Sequence, residues 1–273
     1  MNRYNGNLWK ESHYTLDTDY IVSTYIREYD ISKANISILR TKNVISEEQY
    51  QYLYNAPRME RQITIGMLLK DPKKSDILKQ GLAEARYNFL SSNNIPDTNI
   101  LSIKNDAIFV ISTVPAITKF GLVEFRFKNI YTSYYRLPGK IECYYLYDIV
   151  SNNEVLDIKG ISDSNLLKHS LFLDFLKTVF FSAQCENIQN TIDIIINAYN
   201  NYIQLNFPIE MYRRFSSDSM YQLKQIFKYD NSLYMVDGLT NDNINQIDIS
   251  YNLNIIRSLY QIFSGEYFLH RKR

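Results

Sequence analysis

Glycine and proline are scarce in this chain, 8 and 6 of 273 residues, which excludes collagen-like, linker-like and low-complexity readings. Cysteine is scarcer still. Cys143 and Cys185 form neither a paired-Cys metal spacing nor a disulfide-dense framework, so both read as packing residues in a reducing compartment. His13, His169 and His270 are scattered, with no i, i+4 pairing to one another and no nearby Cys, which argues against zinc and leaves surface or capping roles. An excess of one charge is missing too: 30 Lys and Arg balance 29 Asp and Glu, so a polyanion has to be met by a local patch and not by the field of the whole molecule. No run of about 18 apolar residues occurs, and residues 1–16 are polar where a signal peptide needs an apolar stretch, so a cytoplasmic location and no membrane partner are expected. Gly-rich phosphate loops, a Gly-x-Ser-x-Gly elbow and a dinucleotide fingerprint are likewise absent.

What is abundant is aromatic, with 24 Tyr and 14 Phe, so the chain is built of bulky elements that fold compactly. Hydrophobic residues at 45% against 22% charged residues are ordinary for a soluble globular protein. The length suits one large domain or two small ones. Residues 19–31 are rich in β-branched and aromatic side chains and predict a strand ending near Asp30. Ser46-Glu-Glu-Gln49 has the outline of a capping box and opens a helical pattern that Pro57 interrupts and that ends near Lys70. A second helix is expected over 75–89, closed by the turn-forming residues 91–96. Residues 99–112 read as a β-hairpin with its polar turn at Asn105-Asp106. Strands are predicted over 122–127, 130–136, 141–149 and 155–159. Helical spacing then takes over at 166–183, 188–205 and 247–263, which puts the likeliest domain boundary near Ser162–Ser164. No internal repeat is visible.

Two acids stand at places where chemistry is possible. Asp30 ends a strand before the helical excursion, and Asp106 sits in a hairpin turn after it. Pairing of the two strands would set the carboxylates side by side, as a two-metal phosphoryl-transfer site with ions about 3.5–4 Å apart requires. Taken alone, each acid reads first as a helix or turn cap. Arg61, with Arg58 and Glu60, reads first as a solvated helix face and second as a phosphate contact. Tyr134 and Tyr135 beside Arg136 read first as cross-strand packing and second as a stacking strip for single strands. The clearest basic clusters are Tyr212-Arg-Arg-Phe215 and His270-Arg-Lys-Arg273. They suit a duplex backbone or a solvated surface alike.

Short motifs in order along the chain resemble the family B nucleic-acid polymerases, particularly their phage and plasmid forms. Asp30-Ile-Ser-Lys-Ala-Asn-Ile36 is similar to motif A (Asp-x-x-Ser-Leu-Tyr-Pro), with Asn35 at the place of the sugar-selecting Tyr. Arg58-Met-Glu-Arg-Gln-Ile-Thr-Ile-Gly66 resembles motif B (Lys-x-x-x-Asn-Ser-x-Tyr-Gly), with Arg58, Gln62 and Gly66 at its spacings and Ile65 for its Tyr. Lys104-Asn-Asp-Ala-Ile-Phe-Val110 looks like motif C (Asp-Thr-Asp-Ser-Ile-Phe-Val), with Lys104 replacing the first acid. Lys128-Asn-Ile-Tyr131 resembles the Lys-Lys-x-Tyr element, and Lys159-Gly160 the Lys-Gly that follows it.

The resemblance implies an α+β fold: a palm-like antiparallel sheet over 1–163, minimal fingers helices over about 45–92, and a helical thumb-like part over 164–273. It implies Mg²⁺ or Mn²⁺ held by the catalytic pair Asp30 and Asp106, and a nucleoside triphosphate at Arg58, Gln62 and Gly66. Primer–template or single-stranded nucleic acid falls to Lys128, Tyr131, Lys159, Gly160, Arg213 and Arg214, with other replication or transcription proteins as further partners. Abundant Asn, Ile, Lys and Tyr fit AT-rich codons, hence a phage or other AT-rich mobile element acting in host cytoplasm. Three functions are expected in descending order: template-dependent nucleotidyl transfer, an inactive palm-like binding or interaction subunit, and two-metal hydrolysis of a phosphodiester.

Overall fold

The computed structural model describes residues 6–224, 235–236 and 241–265, and the basic cluster at 270–273, with His270, lies outside the described residues. The fold is α+β, as expected, with antiparallel sheets. The chain divides into two compact units, Met1–Asp17 with Thr24–Tyr131, and Thr18–Ser23 with Thr132–Arg273.

The predicted strand over 19–31 is broken at Ser23, whose φ of 57° is left-handed. Its two halves are β2 (Tyr20–Ile21), which pairs in the second unit, and β3 (Ile26–Ile31) in the first. Around β3 the first unit arranges β1 (His13–Thr15), β4 (Ile100–Lys104), β5 (Ala107–Ile111), β6 (Lys119–Phe120) and β7 (Val123–Tyr131) in the order β1-β4-β5-β3-β7-β6. Successive side chains of a strand point to opposite faces. Tyr29 and Ile31 of β3 therefore join the core with Ile108, Val110, Phe125 and Phe89, the Phe89 and Phe125 rings stacking at 4.3 Å. Glu28 and Asp30 take the other face.

Between β3 and β4 lie α1 (Ala34–Thr41), α2 (Glu47–Asn55), α3 (Arg58–Leu68) and α4 (Pro72–Ser92), four helices where two were expected. The Ser46–Gln49 capping box forms, and Pro57 separates α2 from α3. At α4 the start moves forward to Pro72, whose missing N–H costs nothing at a helix N-terminus, with the Asp71 side chain accepting from Lys73 N–H at 3.0 Å. No side chain caps the unexpected α1, which is entered through Lys33 at φ 47°. It is held instead by burial of Ala34, Ile36, Ile38 and Leu39, a tertiary gain that outweighs weak local propensity.

In the second unit, β2, β8 (Ser133–Leu137), β9 (Ile141–Asp148) and β10 (Asn153–Lys159) form a sheet of order β10-β9-β8-β2. It continues with α5 (Asp163–Leu166), α6 (Ser170–Cys185), α7 (Ile188–Ile203), the small pair β11 (Tyr221–Gln222) and β12 (Met235–Val236), and α8 (Ser250–Ser264). Tyr135, Leu137, Cys143 and Tyr145 of the sheet share one core with Phe172, Phe180, Tyr202 and Leu259 of the helices, and Tyr135 stacks on Phe180 at 4.3 Å. Strands β8–β10, which the sequence groups with residues 1–163, thus share a core with α6–α8, and the change of texture near Ser162–Ser164 falls inside this unit.

His169 is buried here, its Nε2 2.9 Å from Ser219 Oγ and its ring edge-on to Phe215. Burial, with Arg213 and Lys168 adding repulsion, pushes its pKa down to about 4. Unfolded histidine titrates near 6.5, so between those values the unfolded state binds more protons and stability falls as pH drops, by up to about 3 kcal/mol. Thermal melts followed by circular dichroism between pH 7.5 and 4.5 should show this loss in the wild type and a shallower one in His169→Phe; parallel curves would contradict the assignment.

Candidate functional site

Asn105 at φ 55° makes the two-residue turn between Lys104 and Ala107. Across the sheet Asp30 faces Ala107, and the Ile31 N–H donates to the Asp106 carbonyl at 3.0 Å. The end of β3 and the hairpin turn therefore meet, and both carboxylates open into one cavity of about 760 Å³. On its other edge β3 pairs with β7, where Asp30 faces Arg126 and their charged groups approach to 3.6 Å. The β3–β7 register jumps between Glu28 and Tyr29, leaving Lys128 as the extra residue of a bulge, and bulges re-aim side chains in this way. Lys128 lines the cavity while its Nζ sits 2.9 Å from the Glu28 carboxylate.

Helix α3 supplies the facing wall. Arg58, Arg61, Gln62, Ile65, Gly66 and Leu69 line the cavity, and their spacing of three and four is one face of a helix. Nothing stands within 4 Å of where a Cβ at Gly66 would lie, so a side chain there would enter open space. Lys33 and Asn35 line the cavity as well. Lys33 donates to the Tyr54 carbonyl and lies over the Tyr54 ring; desolvation, then repulsion from Arg61 and Arg126, lowers its pKa. Opposite these cations stand Asp30 and Asp106. Burial raises the Asp106 pKa and the Asp30 charge adds to it, while the Asp106 backbone N–H and Lys128 act against the rise. A protein of nearly neutral net charge thus concentrates Lys33, Arg58, Arg61, Arg126 and Lys128 around two acids, the local patch that a polyanion needs.

Residues 4–264 match the family described as Bacteriophage PBS1 gene 130 protein. The chain belongs to the bacteriophage PBS1 gene 130 protein family. That agrees with the phage character expected from the sequence. No curated protein matches the chain.

In this PBS1 gene 130 family member the structure brings together Asp30, Asp106, Arg58, Gln62, Gly66 and Lys128. Arg61, read as a solvated face, is a correction: it shares the α3 stripe with Arg58 and lines the cavity. Tyr131, assigned to nucleic acid, is a second. It is fully buried, stacked on Phe109, and its hydroxyl donates to Glu28 at 2.9 Å, so its ring offers no face to a ligand. Lys104 donates to Thr15 at 2.9 Å and stands outside the cavity lining.

Lys159, Gly160, Arg213 and Arg214 belong to the second unit. The Lys159 amine pairs with Asp157 at 2.7 Å. At Gly160, φ is 100° and a Cβ would stand 2.7 Å from the Lys140 carbonyl oxygen, so close packing requires glycine there. Arg213 donates to the Ser219 carbonyl at 2.8 Å and lies over the Tyr221 ring; Arg214 lies over Tyr251 and donates to Gln222. Both guanidinium groups are engaged within the fold, which corrects their reading as an exposed basic cluster. Sequence reasoning missed Lys33, Arg126 and the buried Glu28. The strand pairing that sets Arg126 opposite Asp30 is the signal that finds it.

Among the described residues no group of three or more His, Cys, Asp or Glu could hold a metal ion. No described helix is long and apolar enough to cross a membrane.

Glu28 is 1% exposed, while Lys128 and Arg126 are 45% and 57% exposed. Removing Lys128 withdraws the amine from a buried carboxylate, so Lys128→Ala should cost about 1–3 kcal/mol. Arg126→Ala breaks an exposed pair and should cost less than about 1 kcal/mol. Urea denaturation with unchanged m-values checks this; equal costs would contradict it.

Proposed function

We propose that the protein is a template-dependent nucleotidyltransferase of a phage, extending a nucleic-acid primer from nucleoside triphosphates in host cytoplasm. One observation carries the reading: a half-buried pair of acids, Asp30 and Asp106, opens into the same cavity as the cationic stripe of α3. The remainder rests on the resemblance of the motifs around Asp30, Arg58 and Asp106 to family B polymerases.

The donor set fits Mg²⁺ or Mn²⁺. Both prefer hard oxygen ligands, and Mg²⁺ at such sites is held by one or two carboxylates completed by substrate phosphates and water. Burial chiefly, and the Asp30 charge beside it, raise the Asp106 pKa, and a cation between the two acids would offset both. When bound at Asp30 and Asp106, the ions supply activation of a primer 3′ oxygen and offset the charge of departing pyrophosphate. Arg58 and Arg61 neutralise the triphosphate, and Gln62 and Gly66 shape the space beside it. Lys128 contacts the primer–template backbone. Replication or transcription proteins are the further partners.

A second reading has its own observation. Arg126 already pairs with Asp30, and Lys104 stands where motif C has its first acid, an arrangement suited to a palm-like subunit that binds nucleic acid without catalysis.

Primer extension with labelled dNTPs and NTPs in Mg²⁺ or Mn²⁺ tests both. Activity should fall at least about a hundredfold in Asp30→Asn and Asp106→Asn. Arg58→Ala and Arg61→Ala should chiefly raise KM for the nucleotide. Because the Asp106 pKa is raised in the metal-free site, Mn²⁺ binding should weaken on acidification at a higher pH than an ordinary carboxylate dictates. Nucleotide-independent cleavage that survives Arg58→Ala would indicate hydrolysis instead. No turnover, with salt-dependent binding of a primer–template in fluorescence anisotropy, would establish the second reading; neither activity nor binding would overturn both.

A further inference from the structure

Arg86 of α4 is 2% exposed, a guanidinium in a place where an unpartnered charge is costly. Its partners are backbone carbonyls remote in sequence. Nε donates to the Trp9 carbonyl at 2.9 Å and Nη1 to the Asn105 carbonyl at 2.8 Å. The Asn105 N–H in turn donates to the Ser12 carbonyl at 2.7 Å. These bonds converge on the turn that carries Asp106.

The peptide unit preceding Asp106 is held through the Asn105 carbonyl by Arg86, and the following one through the Asp106 carbonyl by the Ile31 N–H at 3.0 Å. With both flanking peptide planes pinned, little backbone freedom remains at Asp106. Asp106 and Asp30 line the same cavity, and the Asp106 carboxylate accepts from its own backbone N–H. All the residues involved lie in the first unit.

We propose that Arg86 is a positioning residue for Asp106, fixing the carboxylate where a divalent cation shared with Asp30 is bound. The inference rests on the reading of Asp30 and Asp106 as metal ligands. Partners that orient a metal ligand typically contribute 10–100-fold to affinity. Arg86→Met removes both donors, whereas Arg86→Lys keeps the charge and one donor group.

The test pairs two titrations. Mn²⁺ binding is followed by the electron paramagnetic resonance signal of the free ion, and a fluorescent ATP analogue in EDTA reports on the Arg58 and Arg61 face, which Arg86 does not touch. Arg86→Met should weaken Mn²⁺ about 10–100-fold and Arg86→Lys less, with ATP-analogue binding unchanged within about twofold in each. A folded Arg86→Met that binds Mn²⁺ like the wild type would overturn the proposal. So would equal losses of Mn²⁺ and ATP-analogue binding, the mark of general damage. Should Arg86→Met fail to fold, Arg86→Lys decides by the same selectivity. A wild type that binds no Mn²⁺ would defeat the metal reading itself, an outcome distinct from a failure of Arg86 alone.

Discussion

The antiparallel pairing of β3 with β5 on one edge and β7 on the other is the constraint on which the site depends. A one-residue slip in a strand carries every side chain to the opposite face. Here it would turn Asp30 away from the cavity and push a carboxylate into the core built on Phe89 and Phe125. The buried face therefore fixes the register, and the register in turn sets Asp30 against the Asp106 turn and against Arg126. Core packing and site geometry are two faces of one strand.

Electrostatics follow from that geometry and not from composition. Formal net charge is +1, yet the cavity gathers cations from α3, from the entry to α1 and from β7 around two acids. Such an arrangement is costly unless counter-charges are present. Part of the balance is internal: Arg126 faces Asp30, and Lys128 lies against the buried Glu28. On the proposed reading, phosphate oxygens would offset the cations along α3 and a divalent cation the two acids at the hairpin.

Much of this was legible in the sequence wherever local chemistry decides the structure. The β-branched run before Asp30, the Asn105-Asp106 turn and the Ser46–Gln49 box each carry their own signal, and each formed. What long-range packing decides was not legible. Helix α1 has no cap and follows a lysine in left-handed conformation, so only the core beneath it explains it. Tyr131 carries a motif, yet its neighbours across the sheet bury it. The Lys128 bulge lets the predicted strand 122–127 run on to Tyr131 as β7, while most of the predicted strand 130–136 becomes β8, a register event that a single strand's pattern does not record. Arg86 gives no sequence signal, because both its carbonyl partners lie remote in the chain.

The central claim is that Asp30 and Asp106 jointly hold a divalent cation in front of a triphosphate lying along α3. The most direct measurement is an anomalous difference map from crystals soaked with Mn²⁺ and a non-hydrolysable nucleoside triphosphate. The account predicts a Mn²⁺ peak within ligand distance of both carboxylates, with phosphate density against Arg58 and Arg61. Ordered nucleotide with no metal between Asp30 and Asp106, or bound metal away from both, would contradict it.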